Sequence, residues 1–330
     1  MMRLIAMTAV VLMTAGAASS SAYLKLGAAV NGRVVDATWK QQPIGLFISD
    51  SGSNGVSATD VRGAVERAAA TWSAVECANV RFAYQGITSA PPEGTDGKNT
   101  IGFLERPDLD RVLGATSFMV DATTGEIYEA DIFFNASFVF SVSPGGQSGR
   151  IDLESLALHE LGHLLGLGHS AIGETERISN GGRRVSGSGA VMFPIAMTAG
   201  AISERVLEAD DKAGLLDLYP TGAVVSDTGG IVGRVTKSGR GVRGAHIVAF
   251  NPETHIMIGS FTLTESGEFV IGRLPPGPYI LRVEPLDDAE PDNFFPAAVD
   301  TDFRVTYAPR MVVAPRGGSS MPIEIQVLPK

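Results

Sequence analysis

Apolar and polar positions change their period several times along the first two thirds of this chain. Pro43 to Ile48 reads as a strand, whereas Thr59 to Ala78 places Val61, Val65, Ala68, Ala69, Trp72 and Val75 at helical spacing. Val80 to Tyr84 and Thr100 to Leu104 return to strand character, and Leu113 to Val120 and Glu126 to Phe134 flank Asp-Ala-Thr-Thr-Gly as a hairpin. Asp152 is placed to cap a helix running to about Leu165, and a last helix is expected from Glu204 to Leu218.

After that the helical period disappears. Ile231 to Thr236, Ala245 to Asn251, Ile256 to Thr264, Glu268 to Ile271, Tyr279 to Glu284, Phe303 to Tyr307 and Ile323 to Val327 all read as strands, separated by clusters such as Lys-Ser-Gly-Arg-Gly and Pro-Pro-Gly-Pro. This pattern predicts a small β-sandwich. The small-residue stretch 221–229 reads as a linker, which divides the chain into an α+β domain, 23–220, and an all-β domain, 230–330. Each half carries enough apolar positions for its own core, so a chain ending near Ser226 is expected to fold without the second half.

The extreme N-terminus has its own logic. A short positive start at Met1 to Arg3, an apolar run from Leu4 to Met13 and small residues from Ala15 to Ala22 fit a cleaved secretory signal peptide, residues 1–22. The apolar stretch falls short of the roughly 20 residues that span a bilayer, so a mature form outside the cytoplasm, extracellular or periplasmic and free of the membrane, is expected.

Charge removes some partners. With 26 basic and 36 acidic residues the net charge is −10, and no basic run offers a footprint for nucleic acid. The acidity sits between residues 23 and 220, with fifteen basic against twenty-four acidic side chains. The 1 cysteine, Cys77, forms no internal disulfide and supplies no multi-thiolate metal site; its place at the end of the first long helix predicts a core residue. Any metal must therefore be held by histidine or carboxylate.

Residues 159–170 read His-Glu-Leu-Gly-His-Leu-Leu-Gly-Leu-Gly-His-Ser. On a helix His159 and His163 stand roughly 40° apart around the axis, close enough to bind one ion. Glu160 lies roughly 60° from His163, able to reach a water at the ion without being a ligand. Gly166 can take the left-handed conformation that ends a helix, which brings His169 back as a third ligand and leaves a fourth position open. The protein has 5 histidines, and the three of the first domain are these three.

This motif resembles that of the metzincin zinc metallopeptidases, and the serine after the third histidine is the matrixin-type version. Ala-Val-Met-Phe-Pro, 190–194, is similar to their Met-turn, which would set Met192 beneath the three histidines; Leu207 to Tyr219, with Asp210, Asp211 and Gly214, is similar to their terminal helix. The resemblance covers residues 43–220 in element order. It implies a metzincin-like α+β domain, a twisted mixed sheet with three helices, holding one catalytic zinc on His159, His163 and His169, with Glu160 as general base, Gly166 and Met192 supporting the site, and an extended substrate paired with the strand around Leu113 to Thr116. The uncharged segment Phe193 to Met197 implies a preference for an apolar residue just after the cut bond. No histidine is available for the second zinc of animal relatives, and no propeptide cysteine for their capped zinc; Asp121, Glu126, Glu129 and Asp131 could instead hold calcium, the alternative being a turn and strand of solvated acids. In the second domain, Gly-Arg-Val-Thr (233–236), Gly-Ala-His-Ile-Val-Ala (244–249) and the run 272–279 resemble carboxypeptidase-regulatory-like modules with a transthyretin-like sandwich, which implies an accessory domain that binds protein or polysaccharide. His246 and His255 are expected to be ordinary strand and turn residues.

The expected function is thus that of a secreted, monomeric zinc endopeptidase acting on protein or peptide substrates, in an extracellular setting such as a matrix. The competing expectation is a secreted binding or adhesion protein that uses the metal fold as a scaffold.

Overall fold

The computed structural model describes the chain apart from residues 1–5, 8–22, 31–32, 53–54, 178–182, 197, 287–290 and 296–297. Nearly all of the expected signal segment, together with Met197, lies outside the described residues. Among the described residues no helix is long and apolar enough to cross a membrane.

An N-terminal mixed α+β region is followed by a β-rich region. By packing, the chain forms two compact units. One is built on Ala37–Gly166 and Ala196–Leu207; the other on Leu167–Ile195 and Glu208–Lys330, with the segment ending at Asp36.

In the first unit, helix α1, Ala58–Ser73, starts at a capping box in which Ser57 Oγ accepts from the Asp60 amide and Asp60 accepts from the Ser57 amide. Its buried face is Val61, Ala64, Val65, Ala68, Ala69 and Trp72. The helix stops short of the expected Ala78. Ala74 caps it, and Cys77 takes a left-handed φ of 64° in the turn that follows. Cys77 is exposed, which corrects the expectation of a core residue: the apolar stripe ends one turn before it reaches this position.

The sheet runs, in order, Ala6–Met7, Gly114–Val120, Ile127–Asn135, Thr100–Leu104, Ile44–Ser49 and Phe82–Thr88. Gly114–Val120 and Ile127–Asn135 form the expected antiparallel hairpin, and Thr100–Leu104 and Ile44–Ser49 continue in parallel pairings. The Ala6–Met7 pairing touches only Phe118 and Met119, so Gly114 to Ser117 have no strand on their outer side among the described residues.

Helix α2, Leu153–Leu164, begins where expected. Asp152 Oδ2 accepts from the Ser155 amide at 2.9 Å, a cap worth about 1 kcal/mol. Two indoles bond to helix carbonyls: Trp72 Nε1 to Leu158 O at 2.9 Å and Trp39 Nε1 to Leu164 O at 2.8 Å. The second satisfies one of the carbonyls that every helix leaves open at its C-terminus.

In the second unit two antiparallel-rich sheets enclose a core. Gly229–Lys237 lies between Glu268–Leu274 and Ile323–Val327. His246–Phe250 lies between Met257–Phe261 and Gly277–Glu284. Ile231, Ile247, Phe269, Tyr279, Leu281 and Ile325 meet in the core, and strict alternation of buried and exposed residues over 323–327 matches a half-buried strand.

Several elements differ from the sequence pattern. The expected helix Glu204–Leu218 is a single turn at Ser203–Arg205 followed by α3, Ala209–Leu218, with Val206 in extended conformation between them. Residues 221–229 carry a short helix, α4, Gly222–Asp227, where a linker was expected. Gly173–Arg177 and Arg183–Ser188 form an antiparallel hairpin whose polar sequence gave no strand signal.

Candidate metal centre

The site grows from α2. Leu153, Ala157, Leu158, Leu161 and Leu164 are buried, so the helix also buries part of its polar face. His159 and His163, one turn apart, bring their Nε2 atoms to 3.1 Å. Gly166 ends the helix with φ of 96°, a conformation that costs a residue with a β-carbon, and its amide bonds back to His163 O at 2.8 Å. The chain then delivers His169, and one nitrogen from each of the three imidazoles falls within 4.8 Å of the others.

These residues fit zinc. Imidazole nitrogens about 2.0–2.1 Å from one tetrahedral ion stand roughly 3.3 Å from each other, close to the spacing of the His159 and His163 nitrogens. His169 Nδ1 lies 2.8 Å from the Asn293 carbonyl oxygen, an acceptor only, so Nδ1 carries the proton and Nε2 presents its lone pair. Burial lowers the His169 pKa, against the pull of that carbonyl, and keeps the ring in the neutral form a ligand needs. Among the described residues this is the one group of three or more histidine, cysteine or carboxylate side chains that converges in this way, which is consistent with a single zinc ion.

Glu160 is not a member of this group. It is 3% exposed, and Thr116 Oγ1 donates to its Oε2 at 2.8 Å. Burial pushes its carboxyl up to about 7, with the Thr116 bond pulling the other way. Gly114, two residues before Thr116, is there for space: a β-carbon at that position would stand 2.9 Å from Phe133 O and 3.3 Å from Glu160 Oε1.

Met192 is buried and, with His169, lines a small cavity. Its turn is fixed from both sides. Ser170 donates its amide to Met192 O at 2.9 Å, and Asp211 accepts the amides of Val191 at 2.9 Å and Met192 at 3.0 Å. Burial pushes Asp211 up to about 7 against those bonds, with Asp210 adding to the rise. Asp210 is buried as well; it accepts from Ser170 Oγ at 2.6 Å and from the Gly259 amide at 2.7 Å. The acidic pair is therefore a fastening for the ligand-bearing segment.

The candidate calcium ligands do not converge. Asp121 caps the hairpin turn through the amides of Thr123 and Thr124. Glu129 accepts from the Asp96 amide and Asp131 from the Thr100 amide. His246 is buried with Nδ1 2.9 Å from Glu284 Oε1, and His255 sits in a turn at φ of 60°, both structural as expected.

Thr116, Gly114 and Asn293 were not singled out by the sequence. Nothing in the sequence signals Asn293, because it acts through its backbone oxygen. Gly114 at the head of a strand offered a weak signal of close approach.

Two histidines on a helix packed on a mixed sheet, joined by a third from the segment that follows, form a zinc peptidase-type core. Residues 38–177 match the family model described as Peptidase_M10: Matrixin. Metalloendoproteinase 2-MMP of Arabidopsis thaliana is 31% identical over 134 residues, 38% of this chain and 33% of that protein. Metalloendoproteinase 1-MMP of the same plant is 41% identical over 76 residues, 23% of this chain and 16% of that protein. The chain thus spans about a third of the first relative's length and less of the second's. A solved structure titled "The Bacillus anthracis TIE protein" is 13% identical over 31% of this chain and 17% of that one, at a TM-score of 0.22, which carries no argument. The Matrixin match and the histidine group together have the signature of a zinc endopeptidase core.

Proposed function

We propose that this chain is an exported zinc-dependent endopeptidase. The observation that carries the proposal is a convergent histidine triad, two members on helix α2 and the third from the segment after it, together with a buried carboxylate of the same helix that a neighbouring strand holds in place. His159, His163 and His169 would hold the metal. When bound, zinc supplies Lewis acidity that polarises a carbonyl and acidifies water.

The remaining work falls to the chain's own side chains. Glu160 takes a proton from the attacking water and hands it to the departing amine, and a carboxyl whose pKa is raised toward neutrality suits both halves of that exchange. Thr116 orients it. Gly114 to Ser117, without a strand on their outer side among the described residues, offer backbone groups to an extended peptide. The uncharged Phe193 to Ala196 segment favours an apolar residue after the cut bond. The C-terminal β-rich region is read as a carboxypeptidase-regulatory-like sandwich that contacts protein or polysaccharide, on a monomer released by cleavage of residues 1–22.

Glu160→Gln is the test. The variant should bind zinc as the wild type does and lose several orders of magnitude in turnover of a casein or peptide substrate. Retained turnover would overturn the assignment of Glu160, and a wild-type chain that binds zinc but cleaves no peptide would favour the adhesion-scaffold alternative.

A further inference from the structure

The acceptor that orients His169 lies 124 residues downstream of it, outside the 38–177 span that matches the Matrixin model. It belongs to a single helical turn, Pro291–Asn293, in the C-terminal region. That turn is well anchored. The amides of Phe294 and Phe295 both bond to Pro291 O at 2.9 Å, and both rings are fully buried. Each packs 5.7 Å from Phe261, on the strand Met257–Phe261, and Phe294 stands edge-on to the His169 ring at 6.2 Å. A second fastening runs parallel to it: Asp210 joins Ser170, the neighbour of His169, to the amide of Gly259 on the same strand.

Resting on the zinc reading above, we propose that the C-terminal β-rich region is part of the metal centre: the Asn293 backbone carbonyl, held by Phe294, is a positioning group that fixes the tautomer and ring plane of His169. A histidine ligand donates its second ring N–H to an acceptor, and the acceptor sets which nitrogen faces the metal. Here the carbonyl accepts from Nδ1, which leaves Nε2 for the ion. Loss of such an outer partner typically weakens metal binding about 10–100-fold. The consequence for organisation is direct. The strands after residue 229 complete the environment of a ligand that the catalytic motif supplies, so the two parts of the chain are not exchangeable modules.

The experiment uses the full chain and reads metal rather than activity. Zinc affinity is measured by competition with a chromophoric chelator for the wild type, Phe294→Ala and Phe294→Leu. Long-range proton–nitrogen spectra of the zinc-loaded wild type report the His169 tautomer. The expected result is a slowly exchanging proton on His169 Nδ1, affinity about 10–100-fold weaker in Phe294→Ala, and partial recovery in Phe294→Leu. A folded Phe294→Ala with unchanged affinity overturns the proposal. So does a His169 whose proton sits on Nε2 in the wild type, a measurement that holds even if Phe294→Ala fails to fold. A wild-type chain that binds no zinc defeats the zinc reading itself, a separate result.

Discussion

Thr116 Oγ1 stands 2.8 Å from Oε2 of Glu160 and 3.0 Å from the Glu160 backbone oxygen, so one hydroxyl of the sheet meets both the carboxylate and the main chain of the residue assigned as general base. The bond is buried, where an unpaired carboxylate oxygen costs more than it would at the surface. Thr116→Val should lower kcat about tenfold with little change in KM, because an oriented hydrogen bond is worth about 1–2 kcal/mol. Thr116→Ser should keep most of the activity. Equal kcat values for wild type and Thr116→Val would show that the carboxylate is held by other contacts.

A second prediction concerns stability and pH. Burial, with Glu129 and Asp96 adding, pushes the Asp131 carboxyl from an ordinary 3.8 up to about 7, against the pull of the Thr100 amide. Between those values the folded protein holds a proton that the unfolded chain has released. Its contribution is therefore full below about pH 4 and is lost as the pH rises through 7. Asp131→Asn keeps the acceptor for Thr100 and removes the titration. Chemical unfolding at pH 4 and pH 8 should show the variant gaining on the wild type across that range, by roughly 2 kcal/mol once the ~4 kcal/mol of the full shift is discounted for solvent screening. Parallel pH profiles would contradict this.

The N-terminus of the metal helix gives the opposite sign. Burial alone would raise the Asp152 carboxyl, but Arg205, with Nε 2.9 Å from Oδ2, and the Ser155 bonds hold it below its ordinary value. This stabilisation is present above about pH 4 and is lost as the pH falls through the depressed pKa. Arg205→Met should cost about 3 kcal/mol at neutral pH by leaving a buried carboxylate without its cation. It should also move the acid-unfolding midpoint, followed by circular dichroism, to higher pH. An unchanged midpoint would mean that the cap is sustained by Ser155 alone.

Elemental analysis of dialysed protein should find one zinc per chain, and His163→Ala should find almost none. Added calcium should leave the thermal midpoint of unfolding where it was, since Asp121, Glu129 and Asp131 are engaged by different backbone amides and do not converge on one point. Two tightly held zincs, or a calcium-dependent rise in the midpoint, would reveal a second site.

The parts of the molecule legible in the sequence are those set by local spacing. The helical stripe of α1, the hairpin around Asp-Ala-Thr-Thr-Gly and the capped α2 all follow from residues within a turn or two of each other. The histidine triad belongs to the same kind, since its members span eleven positions. What eluded sequence reasoning acts across the chain. Thr116 reaches a residue 44 positions away, and Asp211 reaches back 20 to the amide of Val191. Asn293 contributes an atom common to every residue. The hairpin Gly173–Ser188 was invisible for another reason: its strands are polar and largely solvated, so they show no apolar alternation.

The 124-residue interval between His169 and its carbonyl partner also imposes a schedule on biosynthesis. A polypeptide emerging N-terminus first has all three histidines and Glu160 in hand while the turn that orients the last ligand has yet to be synthesised. On the reading proposed above, full affinity for the metal would therefore arrive late, after the C-terminal strands have been threaded out and folded. A site assembled in that order has a built-in delay between making its ligand residues and holding a metal at full strength.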